Sequence, residues 1–502
     1  MFPSLFLAFV LVSSMFSIAY GAFVLFLVAE SPVNAFLGIV FFLLSIAVAA
    51  FNAVGAFYYY AAARLKQQPV PPLPKKLPKI AVVVPACNED PEMVIDTVVR
   101  LKKLRYPNKN LLEYWLLDNS TDSKIRARLK RFCSSNSIRY VWRDRRKGFK
   151  AGSLNNFLSL ANADFLAVFD ADEKLSDPNF LVDNIGFFRN SRLAFVQTVK
   201  RYRPSSLFAN AVEATYSFFY NFVQPVRSIS GIAMYCGSLG IVRISALREV
   251  GGFPEDPPTP TEDTAFAFNA DLAGWQGIYV KKTYALGEPV ENFSTFVRQQ
   301  WKYVYGNARL FYNYLDHAGE IHGLDHVHYL TQMFGFPFMS LVFLLFAVLS
   351  AGFVLSNLSY SILEFWKPLV PISAQIGWMQ VLPIAMNFLS VLVVSRVYFG
   401  SFKTGVVTAL LNFALAFKRS EAALSASSKD PMDIWVTAKS KIFSKPSLFQ
   451  SLKATWMESA YSTFFLLLAI ISLARGDLAG AFWLFWYSVL FYSSLALAYF
   501  YN

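Results

Sequence analysis

Two carboxylates one residue apart, Asp170 and Asp172, follow the apolar run 166–169. In an extended strand, residues two apart point to the same face. At the end of a buried strand such a pair can hold magnesium or manganese, with phosphate and water completing the oxygen shell. Asp-x-Asp also arises by chance in surface turns, so context decides. Two further acids invite a joint reading. Asp118 ends the predicted strand 111–117, and Asp263 lies in Thr261-Glu-Asp-Thr, after the Pro-rich turn 254–260. There it opens an Ala/Phe-rich helix predicted over 264–273. A carboxylate at a helix N-terminus is favoured by the dipole. The same group serves as a general base toward a hydroxyl. Local sequence leaves both readings open.

The elements that must position these acids read as a soluble α/β domain over 80–290. Strands are predicted at 80–84, 111–117, 138–142 and 165–169, with helices at 91–104, 125–133 and 154–161. This alternation predicts a mostly parallel sheet whose ligands bind beyond the carboxyl ends of the strands. Cys87-Asn-Glu-Asp, Asp118-Asn-Ser-Thr-Asp and Asp170-Ala-Asp all follow strands at that end.

The flanks are of another kind. The 502 residues are 55% hydrophobic and only 16% charged, too apolar for an ordinary soluble protein. Apolar runs at 2–29, 33–63, 327–355, 370–400, 461–474 and 478–500 predict about six spanning helices. The run 406–417 is short for a span and suits the interface. Domains follow: two spans in 1–64, a basic Pro-rich linker at 65–79, the α/β domain, and an interfacial segment at 291–326. Two spans in 327–400, an interfacial, gating-like segment at 401–457 and two spans in 458–502 complete the chain. The net charge of +13 suits cytoplasmic loops, and Lys418, Arg419, Lys439 and Lys441 among others make 418–453 basic. The α/β domain, 401–457 and both termini are therefore placed in the cytoplasm of a multi-pass plasma-membrane protein, with no nucleic-acid partner. Cys87, Cys133 and Cys236 lie far apart without a CxxC pair, which predicts neither a disulfide framework nor a zinc site.

Within 293–314, apolar and aromatic residues recur at helical spacing, with Arg298, Lys302 and Arg309 interrupting. This fits an amphipathic helix in the membrane interface or one packed on a core. His317, His322, His326 and His328 cluster just beyond. They read as a polar collar, or as a transition-metal site if His322 and His326 share a helix face.

Pro85-Ala-Cys-Asn-Glu, Leu117-Asp-Asn-Ser-Thr-Asp, Lys147-Gly-Phe-Lys-Ala-Gly-Ser-Leu-Asn, Phe169-Asp-Ala-Asp, Gly237-Ser-Leu-Gly and Thr261-Glu-Asp succeed one another. This order resembles glycosyltransferase family 2, in its membrane-integrated branch of cellulose, hyaluronan and mannan synthases. Lys418-Arg-Ser-Glu-Ala-Ala-Leu and Trp435-Val-Thr-Ala-Lys are similar to the glucomannan-synthase relatives. The resemblance implies a GT-A fold inserted between transmembrane helices, and a metal-dependent, inverting sugar transfer. By it, Asn88, Glu89 and Asp118 meet the nucleoside and Lys150 the diphosphate. Asp170 and Asp172 hold Mn2+ or Mg2+, and Asp263 is the catalytic base. Glu262, Trp301, Arg298 and Gln299 lie toward the acceptor. Processive members carry Gln-x-x-Arg-Trp on the interfacial helix, where this chain has Val297 and Gln300 before Trp301. That departure favours one transfer from a GDP- or UDP-sugar, best GDP-mannose, to a polyprenyl- or dolichyl-linked glycan. A processive synthase extending a growing glycan is the alternative. A transporter or scaffold with an inactive domain ranks last, since the catalytic acids are all present.

Overall fold

The computed structural model describes residues 10–12, 14–15, 17–23, 25, 32–66, 68–144, 147–255, 259–355, 396, 400–427, 446–474 and 478–502. The strands are β1 (Ile80–Ala86), β2 (Leu112–Asp118), β3 (Arg139–Trp142), β4 (Phe165–Val168), β5 (Lys174–Leu175), β6 (Leu193–Thr198), β7 (Arg201–Tyr202), β8 (Gly240–Arg243), β9 (Gln276–Val280) and β10 (Ala285–Gly287). Seven form one sheet in the order β3-β2-β1-β4-β8-β6-β9, and β5-β10-β7 form a small second sheet.

β1 shows why the main sheet is buried on both faces. Ile80, Val82 and Val84 pack with Val94, Val98 and Leu101 of the helix Pro91–Leu101. Ala81 and Val83 pack on the other face with Leu154 and Phe157 of the helix Phe149–Leu160. Each fully buried Val or Leu contributes about 1.5–3 kcal/mol. A run of β-branched residues without polar alternation is what a two-sided core selects.

Two expectations change and one is qualified. The sheet is mostly parallel, as expected, but β8 alone runs antiparallel, between β4 and β6. Gly240, which opens β8, pairs with Val168, which closes β4, so β8 starts at the site end and must run back. β4 stops at Val168, so Asp170 and Asp172 lie in the turn beyond it and strand alternation does not pair them. The helix predicted from 154 starts at Phe149, after Gly148 at φ 74° and Phe149 at φ 48°. Two successive left-handed residues turn the chain sharply and set Lys150 in the first helical turn.

Among the described residues, four helices are long and apolar enough to cross a membrane: Ala35–Arg64, Asp325–Gly352, Trp456–Ala474 and Ala481–Phe500. The span predicted at 2–29 is described only in part, as the short apolar helix Val10–Phe23. Apart from Arg396 and Gly400, the run 370–400 lies outside the described residues, as does Trp435-Val-Thr-Ala-Lys. Phe402–Ala414 is a 13-residue helix. Its Leu411 and Ala414 share a core with Phe208, Ala211, Phe293 and Phe296 of the central region. The amphipathic helix is observed as Phe293–Asp316.

The histidines do not converge. His322 precedes the helix Asp325–Leu355 and so shares no helical face with His326. His328 meets Tyr58, His326 meets Tyr314, and His317 meets Glu320. No group of three His, Cys, Asp or Glu positioned for a metal occurs among the described residues. The collar reading fits this arrangement.

Candidate active site

The loops at the carboxyl ends of β1, β2 and β4 meet, as the alternation predicts. Asn88 adopts φ 59°. Its Oδ1 accepts from the Thr121 N–H at 2.8 Å, and its own N–H donates to Ser120 Oγ at 2.8 Å. It thereby ties the loop after β1 to the loop after β2. Glu89 accepts from the Cys87 N–H. Asp118 is fully buried. Its carboxylate accepts from the Ser120 N–H at 2.8 Å and from the Tyr140 hydroxyl at 2.7 Å. In this structure Asp118 shapes the loop that a nucleoside would meet, with both oxygens bonded to protein. Asn119 reaches the Phe149 carbonyl at 3.4 Å, linking this corner to the Lys150 turn.

Asp170 is the electrostatic centre. Lys150 Nζ lies 2.6 Å from its Oδ1, and Lys200 Nζ lies 3.0 Å from its Oδ2. The Ser238 hydroxyl is 2.9 Å from Oδ2. The Asp170 N–H donates to Glu173 Oε2 at 2.8 Å. Asp172 Oδ2 accepts from the Glu288 N–H at 3.0 Å. The small sheet sets this contact, since Glu288 follows β10. Glu173 is 2% exposed. Burial pushes its carboxyl up to about 7, with Asp170 and Asp172 adding to the rise against Lys200. Burial is the largest single influence and opposes the charge on Lys150 and Lys200, but the neighbouring acids, Asp170 with Glu262 at Lys150 and with Glu173 at Lys200, together outweigh it and both pKa values are raised.

Asp263 faces this centre across bare backbone. Gly237 sits at φ 77°, and a Cβ there would lie 2.9 Å from Asp263 Oδ2 and 3.5 Å from Lys150 Nζ. Oδ1 accepts from the Thr264 N–H at 2.8 Å, at the N-terminus of the helix Glu262–Leu272. One oxygen thus serves the helix end, as the cap reading expects, and the other lies against Gly237. Burial raises the Asp263 pKa, against the neighbouring lysines. Glu262 is pushed up to about 7 by burial and by the Asp263 charge.

The helix Phe293–Asp316 closes the cleft. A Cβ at Gly306 would lie 2.5 Å from Thr261 Oγ1, so glycine lets the helix seat against the Thr261-Glu-Asp loop. One turn back, half-buried Lys302 has its pKa lowered by burial, while Glu262 and Asp263 pull it up. Gln299 accepts from Tyr216 at 2.9 Å. Trp301 lies on another face. It stacks on Tyr305 at 5.1 Å between ring centroids and packs with Ala422 of the helix Ala416–Ser425 and with Ala426 just beyond it. Arg298 is exposed.

Asp170, Asp172, Lys150, Glu262 and Asp263 come together, with Asn88 and Glu89 in the loop after β1. Of the residues assigned to the acceptor, Glu262 adjoins Asp263 and Gln299 bonds Tyr216. Sequence reasoning missed Glu173, Lys200, Ser238 and Lys302. Only Ser238 carried a signal, inside Gly237-Ser-Leu-Gly. The donor set of Asp170 and Asp172 suits Mn2+ or Mg2+, which bind through one or two carboxylates plus phosphate and water.

Residues 165–397 match the family model for Glycosyl transferase family group 2. The catalytic subunit of a UDP-forming cellulose synthase from Pseudomonas fluorescens (strain SBW25) is 27% identical over 245 residues, 47% of this chain and 32% of that protein. A probable glucomannan 4-beta-mannosyltransferase of Oryza sativa subsp. japonica is 30% identical over 248 residues, 47% of this chain and 41% of that protein. The matched stretch is thus less than half the length of either relative. A mannosyltransferase from Pyrobaculum calidifontis, solved with GDP-Man and Mn2+, has a TM-score of 0.51 at 18% identity, covering 71% of this chain and 99% of that one. At that identity the likeness shows the fold, a GT-A-like mixed sheet. Ordered acidic motifs, fold and matched residues together support a glycosyltransferase family 2 protein similar to the cellulose synthases and glucomannan mannosyltransferases.

Proposed function

We propose that the protein transfers a sugar, with inversion, from a nucleotide-sugar to a lipid-linked acceptor at the cytoplasmic face of the plasma membrane. GDP-mannose is the favoured donor, on the likeness to glucomannan mannosyltransferases. The observation that carries this reading is the opposition of Asp263 Oδ2 to the Lys150–Asp170 pair across Gly237. Asn88 and Glu89 border the nucleoside pocket, and Asp118 holds its floor. A divalent cation on Asp170 and Asp172, when bound, supplies positive charge to the diphosphate leaving group. Lys150, fixed by Asp170 and by the Gly237 carbonyl at 3.0 Å, adds a second charge from the protein. Asp263 Oδ2 takes the proton of the acceptor hydroxyl while that oxygen attacks the anomeric carbon. The sugar–diphosphate bond breaks on the opposite face, and the diphosphate leaves with the electron pair.

The test is Asp263→Asn in the full chain, with Mn2+ and GDP-mannose, UDP-glucose and other labelled donors. Transfer falls at least a thousandfold while donor affinity stays within about threefold. Lost donor affinity would make Asp263 structural. A wild-type protein inactive on every donor would refute the enzyme reading. A second reading, processive synthesis, is favoured by the likeness to a cellulose synthase. It predicts a ladder of products where single transfer predicts one.

A further inference from the structure

Arg419 is 3% exposed, on the helix Ala416–Ser425. A guanidinium has five N–H donors and no acceptor. Its Nε and Nη2 lie 3.1 Å and 2.7 Å from Gln300 Oε1, and its Nη1 lies 3.0 Å from Asn412 Oδ1. Its flat face covers the Phe336 ring at 4.6 Å. Every hydrogen-bond partner is a neutral amide oxygen. No carboxylate lies within ion-pair distance among the described residues.

A pure donor imposes direction on what it touches. Gln300 is 1% exposed, so its oxygen must face Arg419 and its NH2 must face away. That NH2 lies 2.7 Å from the Tyr216 hydroxyl and donates to it. The single Tyr216 proton then goes on to Gln299 Oε1, at 2.9 Å. With its oxygen taken, Gln299 has only its own NH2 left to offer, and no described residue accepts from it. Gln299 stands one turn before Lys302 and Tyr303 on the same helical face. Lys302 lies in the field of Glu262 and Asp263, and Tyr303 in that of Tyr202 and Tyr220. The chain Arg419–Gln300–Tyr216–Gln299 therefore runs from outside the α/β domain to the acceptor side of the cleft, and ends there as a donor.

We propose that Arg419 is a positioning residue for acceptor binding, fixing this polarity so that the Gln299 NH2 donates to an acceptor oxygen, either a sugar hydroxyl or a lipid phosphate. The inference rests on the glycosyltransferase reading. It explains why a buried arginine meets neutral amides: a carboxylate at position 300 would satisfy the cation but reverse the chain.

The test uses full-length protein in phosphatidylcholine vesicles, with Mn2+ and whichever donor the wild type hydrolyses. Acceptors are mannotriose in one arm and dolichyl phosphate in the other, which separates sugar from lipid phosphate. Gln300→Glu keeps Arg419 paired and draws the Tyr216 proton away from Gln299. Tyr216→Phe keeps the ring and removes the link. Both raise the acceptor KM at least tenfold and move the donor KM less than twofold. Arg419→Lys gives an intermediate acceptor KM. Should Arg419→Met fail to fold, the first two variants still decide. Equal changes in both KM values, or none, overturn the inference, as does a wild type whose nucleotide release neither acceptor accelerates. If the wild type hydrolyses no donor, the glycosyltransferase reading itself falls.

Discussion

Gly237→Ala is the sharpest probe of the cleft. Gly237 has φ 77°, and the added Cβ would stand 2.9 Å from Asp263 Oδ2 but an ordinary 3.5 Å from Lys150 Nζ. An L-residue in the left-handed region costs about 1–2 kcal/mol. Clearing the contact moves the carboxylate by about half an ångström, and a displacement of about 1 Å can cost roughly a hundredfold in rate, so kcat falls roughly tenfold. The two effects separate through a second glycine. Gly274 has φ 76° with nothing within 4 Å of an added Cβ. Gly274→Ala therefore suffers the same strain without the contact. Both variants lose a similar few degrees of melting temperature, and only Gly237→Ala loses rate. Initial transfer rates at saturating donor and acceptor, with thermal unfolding of the same samples, read both. Equal rate losses in the two variants, or a wild-type rate in Gly237→Ala, would show that Asp263 does not act beside Gly237.

Burial raises the Asp263 pKa, and Glu262 is pushed up to about 7 by burial and by the Asp263 charge. A base must be unprotonated, so activity rises with pH through a limb above the usual carboxylate value of about 4. Glu262→Gln moves that limb to lower pH, and rates from pH 4.5 to 8.5 show whether it does. A carboxylate whose folded pKa is raised loses stability as pH climbs from its unfolded value toward the folded one, so Glu262→Gln raises the melting temperature at pH 8 and leaves it unchanged near pH 4. Lys200→Met strips the cation from Asp170 at 3.0 Å and from Glu173 at 3.5 Å. Breaking these partly buried pairs lowers the melting temperature below that of Lys76→Met in the exposed linker. Chelation with EDTA abolishes transfer and added Mn2+ restores it. Full activity after chelation would exclude a metal on Asp170 and Asp172.

What the sequence made legible follows from how local each cause is. β1 was readable because a Val-rich run suits a strand covered on both faces. The meeting of the loops after β1, β2 and β4 was readable because parallel strands put their ends together. The start of the helix at Phe149 was not, since the left-handed pair Gly148–Phe149 leaves no periodic trace. β8 was missed as an antiparallel strand because its direction depends on where the Gly237-Ser-Leu-Gly turn delivers it. Trp301 looked like a sugar platform from its neighbours in sequence. The helix instead presents Gln299, Lys302, Tyr303 and Gly306 on one face, and Trp301 with Tyr305 and Ala308 on another. Four apolar helices are described, and the further spans predicted fall wholly or partly outside the described residues.

The charge balance of the site was the least legible feature, because its members come from separate elements. Asp170, Asp172 and Glu173 follow β4, and Glu262 and Asp263 open a helix some ninety residues later. Lys150, Lys200 and Lys302 arrive from a turn, from the end of β6 and from the closing helix. These are five carboxylates against three ammonium groups. Burial is the main cause that pushes Glu173 and Glu262 up to about 7, and this excess of carboxylates adds to the rise despite nearby lysines. In a cleft shielded from water such an excess is costly. A nucleotide diphosphate alone would deepen it, whereas a divalent cation arriving with the diphosphate cancels the charge the diphosphate adds. The proposed donor and the proposed metal therefore support each other electrostatically: the acids that disfavour a bare diphosphate are the ones that would favour its metal-bound form.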